Sequence, residues 1–236
     1  MTHIEMIAFD ADDTLWHNEY LYREVKRQFA RLLSPYMPVE ETERRLEQVD
    51  VRNLETYGYG IKSFILSLVE AGIEFSNQRI QASEIQQIID FSRQMLDSEI
   101  QLIEQVEDTL VKLSPSHDLM LITKGDLFEQ QRKIKRSGLA SYFRYSEVVN
   151  EKKAENYQNL LEKYALNPQR FLMVGNSLRS DILPVLAVGG LAAYVPYDLT
   201  WDHENAVDPP QDSERYFELE HISQVAELVH KLENPL

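Results

Sequence analysis

From residue 118 onward the chain alternates short apolar runs with stretches whose apolar residues recur at helical spacing, and one similar apolar run, "IEMIAF" at 4–9, stands far ahead of them. This pattern predicts strands at 4–9, 118–123, 145–149, 170–175 and 191–196, with "YFEL" at 216–219 and a terminal helix "SQVAELVHKL" completing the series. The intervening helices fall at 126–138, 154–164 and 182–190. Asp126 suits an N-cap, Gly138 the position just past a helix end, and Pro184 only a first turn. Strands joined through helices must run parallel, in a sheet covered on both faces. The unbroken apolarity of 4–9 fits a strand buried on both sides, so it belongs with the later strands.

What lies between is different. Leu21, Val25, Phe29, Leu32 and Leu33 recur at helical spacing from Asn18, and Phe64, Ile65, Leu68 and Val69 do so from Ile61 until a stop expected at Gly72. "SEIQ" at 83–86 reads as a capping box opening another helix. The chain is therefore expected to be an α/β protein, with residues 1–15 and 101–236 forming the sheet domain and 16–100 an inserted all-helical domain. "VDPPQDS" at 207–213 reads as an exposed loop.

Composition narrows the chemistry. The 236 residues are 43% hydrophobic, enough for a proper core, and include no cysteine, which excludes disulfides, thiolate catalysis and cysteine-ligated metals. A net charge of -15 repels nucleic-acid backbones and anionic lipid. The most basic run, "QQRKIKRSG" at 130–138, reads as a solvated helix face. The first apolar segment is too short for a signal-peptide core, and no run is long enough to cross a bilayer. A soluble, cytoplasmic protein with neither nucleic-acid nor membrane partners is expected.

Ligands of open parallel sheets sit beyond the carboxyl ends of the strands. Here those ends are Asp10 to Thr14, Thr123 to Asp126, Asn150 to Lys153 and Gly175 to Asp181. Close carboxylates repel one another unless a cation joins them, and a hard ion such as Mg²⁺ suits Asp10, Asp12 and Asp181. It would also supply the positive charge that an anionic substrate needs, as would Lys152 or Lys153. Hydroxyls of Thr14 and Thr123, with backbone amides of "TKGD", could hold phosphoryl oxygens. Asp10 could attack phosphorus while Asp12, two positions on, exchanges the proton. Asp13 points the other way and suits a loop hydrogen bond. The plainer role for Asp10, Asp12 and Asp181 is turn and N-cap duty.

These segments resemble the motifs of the haloacid dehalogenase-like (HAD) superfamily: "DADDT" at 10–14 the first, "MLIT" at 120–123 the second, and "GNSLRSD" at 175–181 the fourth. The resemblance spans the chain and implies a Rossmann-like core with the inserted helices as a C1-type cap. It implies that Asp10 is the nucleophile and a Mg²⁺ ligand, and that Asp12 is the general acid/base and binds the ion through its backbone carbonyl. It likewise makes Thr123 the phosphoryl holder and Asp181 a further metal ligand. The third-motif lysine maps onto "NEKKAENY"; Glu151, Lys152 and Tyr157 favour Lys152, with Lys153 the alternative. Asn176 stands where many relatives carry an acid, and could orient a metal-bound water or Asp181.

The expected activity is Mg²⁺-dependent hydrolysis of a small-metabolite phosphate monoester through an aspartyl-phosphate. Nucleoside monophosphates, sugar phosphates, phosphoglycolate and flavin mononucleotide are all compatible substrates. A 2-haloacid dehalogenase, a phosphomutase and a non-catalytic phosphometabolite-binding protein are the alternatives. Dehalogenases resemble the first motif at Asp10 and Thr14 but do not need Asp12. Phosphonate hydrolysis would need a cap lysine, for which Lys62 is available, although a helix-surface role suits it better. The six histidines, His3, His17, His117, His203, His221 and His230, show no ligand spacing, and Trp16 and "YGYG" at 57–60 could line a pocket or pack helices. Oligomeric state is left open.

Overall fold

The computed structural model describes residues 3–201, 204, 208–210 and 214–234. His203 and most of the 207–213 segment lie outside them. The chain forms an α/β fold with a parallel sheet, flanking helices and an inserted helical region, and divides into two compact units.

The first unit comprises residues 1–17, 100–124 and 130–236. Its strands are β1 (Met6–Phe9), β2 (Asp118–Lys124), β3 (Tyr145–Val149), β4 (Phe171–Gly175), β5 (Leu191–Tyr194) and β6 (Tyr216–Glu218). They pair in the order β3-β2-β1-β4-β5-β6, all parallel. Successive side chains of a strand point to opposite faces. On one face Ile7, Phe9, Leu119, Leu121, Leu172 and Val174 pack with α5 (Val106–Leu113), α6 (Leu127–Arg136) and the final helix, α9 (Val225–Glu233). On the other, Met6, Ala8, Met120, Ile122 and Met173 pack with α7 (Ala154–Lys163) and α8 (Leu183–Ala187). Both faces are thus consumed by helices, which explains why the inner strands β1, β4 and β5 carry almost no polar residues.

The second unit comprises residues 18–99 with 125–129. It holds α1 (Glu19–Leu32), α2 (Val39–Tyr57), α3 (Ile61–Phe75) and α4 (Ala82–Asp97) around Val25, Phe29, Leu46, Phe64, Leu68 and Ile88. Three sequence expectations are corrected here. Helix α3 does not stop at Gly72 but runs on to Phe75; the glycine admits a close neighbour, since a Cβ there would lie 2.8 Å from Ile80 Cδ1. Helix α4 is capped two residues earlier than "SEIQ" suggests: the Gln81 amide donates to Glu84 Oε2 at 2.7 Å, and Ser83 lies inside the helix. Trp16 packs in the core of the sheet unit and not in the insert. Tyr57 bonds Glu70, and Lys62 pairs with Asp126 at 2.8 Å. Among the described residues, no helix is long and apolar enough to cross a membrane.

Candidate active site

All six strands run the same way, so their carboxyl ends share one edge. At the centre of that edge β1 lies between β2 and β4. Asp10 follows β1 directly, its amide donating to Val174 O at 2.9 Å, and its side chain is buried. From the loop after β3, the Lys152 ammonium reaches both Asp10 Oδ1 and, at 2.7 Å, Asp181 Oδ1. Lys153, in contrast, is exposed at the start of α7, where its amide donates to Asn156 Oδ1 at 3.1 Å.

Asp181 is placed by an unusual turn. After β4 the chain forms a π-helical turn over Leu178–Ile182, in which the Ser177 amide donates to Asp181 Oδ2 at 3.1 Å. Turns of this kind widen the backbone spiral and are concentrated at functional sites. The Asp181 side chain leans over Gly175: a Cβ built on that glycine would fall 2.6 Å from the Asp181 Cβ. Tyr157, fully buried on α7, donates to Ser180 O at 3.0 Å and fixes the turn from below.

Burial pushes the Asp10 carboxyl up to about 7; Lys152 pulls it back down, while Asp181 and Asp12 push it further up. Burial also raises Asp181, again against the pull of Lys152. Burial disfavours the Lys152 charge as well, but Asp10 and Asp181 outweigh it and hold the ammonium well above its ordinary range. Two buried carboxylates therefore share one cation, leaving negative charge without a partner. With hard oxygen donors already converging, this residue set fits an oxygen-preferring divalent ion such as Mg²⁺.

Asp12 is held separately. Trp16 Nε1 donates to its Oδ1 at 2.6 Å, Gln130 Nε2 to its Oδ2 at 2.9 Å, and Lys133 Nζ lies 3.0 Å from both oxygens. Gln130 and Lys133 belong to the basic run expected to be a solvated face. Both are buried, because with Ile134 they form the i, i+3, i+4 stripe of α6 that faces inward. Asp13 has φ 65° and donates its amide to Trp16 O at 2.7 Å, turning the loop so that Asp12 and Trp16 meet.

Thr123 is buried at the end of β2, and its hydroxyl has no hydrogen-bond partner among the described residues. Thr14 is committed instead: its hydroxyl lies 3.0 Å from Asp10 Oδ2 and 3.1 Å from Asn176 Oδ1. Asn176 in turn donates to Thr200 Oγ1 at 3.0 Å. The structure thus gives Thr14 and Asn176 a different task from the one their sequence positions suggest. They form a chain of hydrogen bonds that orients Asp10, and among the described residues Asn176 makes no hydrogen bond to Asp181.

One acid escapes motif reasoning altogether. Glu204 accepts from Lys124 Nζ at 2.5 Å, from Ser177 Oγ at 2.6 Å and from Ser180 Oγ at 2.5 Å. Burial works against its charge, but Lys124 and the two serines hold the carboxyl down at about 2. Glu204 thereby ties the loop after β5 to the ends of β2 and β4. A glutamate in the connection between β5 and β6 has no local pattern to mark it; only the pairing of β5 beside β4 brings it here.

A family model described as a haloacid dehalogenase-like hydrolase matches residues 4–189. Among solved structures, a haloacid dehalogenase-like family hydrolase from Xanthomonas campestris is 38% identical, with 97% of this chain and 91% of that chain covered and a TM-score of 0.87. The HAD-hydrolase YfnB from Bacillus subtilis, bound to magnesium, is 18% identical over 96% of this chain and 99% of its own, with a TM-score of 0.63. A 2-haloacid dehalogenase from Pseudomonas syringae pv. Tomato DC3000 is 20% identical over 97% and 99%, also with a TM-score of 0.63. The last two likenesses concern the fold alone. No curated protein matches the chain.

Proposed function

Because the chain belongs to the haloacid dehalogenase-like hydrolases, we propose that it hydrolyses the phosphate monoester of a small metabolite, with Asp10 as nucleophile and Asp12 as general acid and base. The observation that carries this reading is the treatment of Asp12. Three side chains from two segments fix a carboxyl two positions from the buried nucleophile candidate. Displacement of halide from carbon needs no proton donor for the leaving atom, so a carboxyl this carefully held would have nothing to do in a dehalogenase. Departure of an alkoxide from phosphorus does need one.

In this mechanism an Asp10 oxygen attacks phosphorus, forming the aspartyl-phosphate as the P–O bond to the alcohol breaks. Asp12 delivers its proton to the departing oxygen. Water then attacks phosphorus, Asp12 takes its proton, and phosphate leaves with Asp10 restored. For donation in the first half, Lys133 or Gln130 must release one of the Asp12 oxygens. Lys152 and the Thr123 hydroxyl supply a positive charge and a donor for the phosphoryl oxygens. Asp10, Asp181 and the backbone carbonyl of Asp12 would hold Mg²⁺, which when bound supplies charge neutralisation for an anionic substrate.

The test is a panel of small phosphate monoesters and 2-haloacids, run with Mg²⁺ and with chelator. Phosphate release that requires Mg²⁺, without halide release, is the expected result. Halide release with no phosphate from any ester overturns the reading.

A further inference from the structure

We propose that His3, His117 and Glu233 form a second metal site, for a nitrogen-preferring divalent ion of the zinc class, at the amino edge of the sheet. It is independent of the phosphatase reading and lies at the other end of the strands from Asp10. The three ligands come from three places in the chain: His3 just ahead of β1, His117 just ahead of β2, and Glu233 at the end of α9. Because β1 and β2 are adjacent and parallel, with Met6 opposite Asp118, their amino ends deliver both imidazoles to the same spot. The histidines that lack ligand spacing in sequence therefore do gather in space, two of them around one carboxylate.

The geometry suits an ion. His3 Nδ1 lies 2.8 Å and His117 Nε2 3.2 Å from the same oxygen, Glu233 Oε1. One ligand atom from each residue lies within 4.8 Å of the others. Tetrahedral zinc with bonds of about 2.0 to 2.2 Å sets its ligand atoms about 3.4 Å apart, so side-chain adjustments alone complete the site. Two histidines and a glutamate also match the ion's mixed nitrogen and oxygen preference.

The surroundings are those of an oriented ligand set. His117 is largely buried, and its second nitrogen, Nδ1, lies 2.9 Å from Ser116 Oγ, which fixes the ring with Nε2 toward Glu233. Outer contacts of this kind are what orient metal-binding imidazoles. Glu233 Oε1 also accepts from the Ile4 amide at 3.0 Å. His3 is 62% exposed, which leaves a path for the ion and an open side for a water ligand. Once in place, the ion would staple the starts of two central strands to the final helix.

The experiment uses the full chain, free of affinity tag, in excess Mg²⁺, titrated with ZnCl₂ and separately with CoCl₂. Calorimetry should show one zinc equivalent, and cobalt should give the visible absorption of a tetrahedral nitrogen–oxygen site. His3→Ala, an exposed change that leaves folding intact, and Glu233→Gln should abolish both signals. Ser116→Ala should weaken zinc binding about tenfold, and Asp181→Asn should leave it unchanged. Absence of zinc binding at several-fold molar excess overturns the proposal. So does binding that survives His3→Ala and Glu233→Gln, or that disappears in Asp181→Asn, which would assign the ion to the catalytic edge.

Discussion

Lys152 Nζ lies 2.7 Å from Asp181 Oδ1 while the same ammonium bonds Asp10, so one buried cation links the carboxylates that follow β1 and β4. Its removal leaves two carboxylates face to face. Lys152→Met should lower turnover by about 10³-fold, the scale seen when a preorganised charge is lost from an active site. The variant should also gain more thermal stability from Mg²⁺ than wild type, because the ion relieves the repulsion. Lys153→Ala, at an exposed helix start, should stay within about 0.5 kcal/mol of wild-type stability and keep full activity. Equal effects at the two positions in steady-state assays would contradict the geometry.

Asp12→Asn keeps the shape of the side chain but cannot give up a proton. With a metabolite phosphate, kcat should fall by about 10² to 10⁴-fold. With an aryl phosphate, whose leaving group needs little protonation, the first half of the reaction should lose far less. Rapid mixing should show a burst of phenol followed by slow turnover, since the variant also lacks the base for the second half. Identical losses for both substrates in the burst phase would remove Asp12 from the acid role.

Glu204 touches three side chains at the strand ends and acts by positioning them. Glu204→Gln should reduce kcat about 10 to 100-fold, in the range of other outer-contact losses, and raise the Mg²⁺ concentration needed for half-maximal activity while leaving KM little changed. A merely structural role would move the melting temperature without moving the Mg²⁺ dependence. Its carboxyl is held at about 2 in the fold against an ordinary 4.5. The stabilisation is therefore complete above pH 4.5 and fades as the pH falls toward 2. Thermal melts of wild type and variant should differ most above pH 5 and converge in acid.

Asp50 acts in the opposite sense. It is buried on α2, and burial lifts its carboxyl from 3.8 to about 6, against a weaker pull from Lys26. A raised folded value means that the native state binds the proton more tightly, so stability falls as pH rises from about 4 through 6. Asp50→Asn should add about 2 to 3 kcal/mol at pH 8, the equivalent of the two-unit difference, and nothing at pH 3.5. Chemical denaturation at the two pH values checks both the size and the sign.

The legibility of this chain follows from where its polar residues fall. The central strands of the sheet unit are apolar on both faces, so their positions, their parallel pairing and the polar ends that carry Asp10, Thr123 and Asp181 could be read directly, with Lys152 after the next strand along. Helix α2 could not, because three of its five inward positions, Thr42, Asp50 and Asn53, are polar and mask the stripe that Leu46 and Val49 begin. The same disguise hid Gln130 and Lys133, whose inward course is visible only once Asp12 is in place to receive them. Gly72 misled for the converse reason: a glycine needed for close packing looks in sequence like one that ends a helix. Glu204 and the His3, His117 and Glu233 group depend on contacts between remote segments, for which local periodicity carries no signal.

Gly175 separates two properties that usually fail together. Its backbone is ordinary for a strand end, so alanine fits the local conformation, and β4 can still pair with β1 and β5. Yet the volume that a methyl group would fill is already taken by Asp181. A mutation there would leave the β4 pairing possible but would push away the Asp181 Cβ, and with it the π-helical turn that carries the carboxylate. The damage would fall on the carboxylate and its turn while the sheet stayed paired, so a residue with no side chain of its own decides whether Asp181 can be where it is.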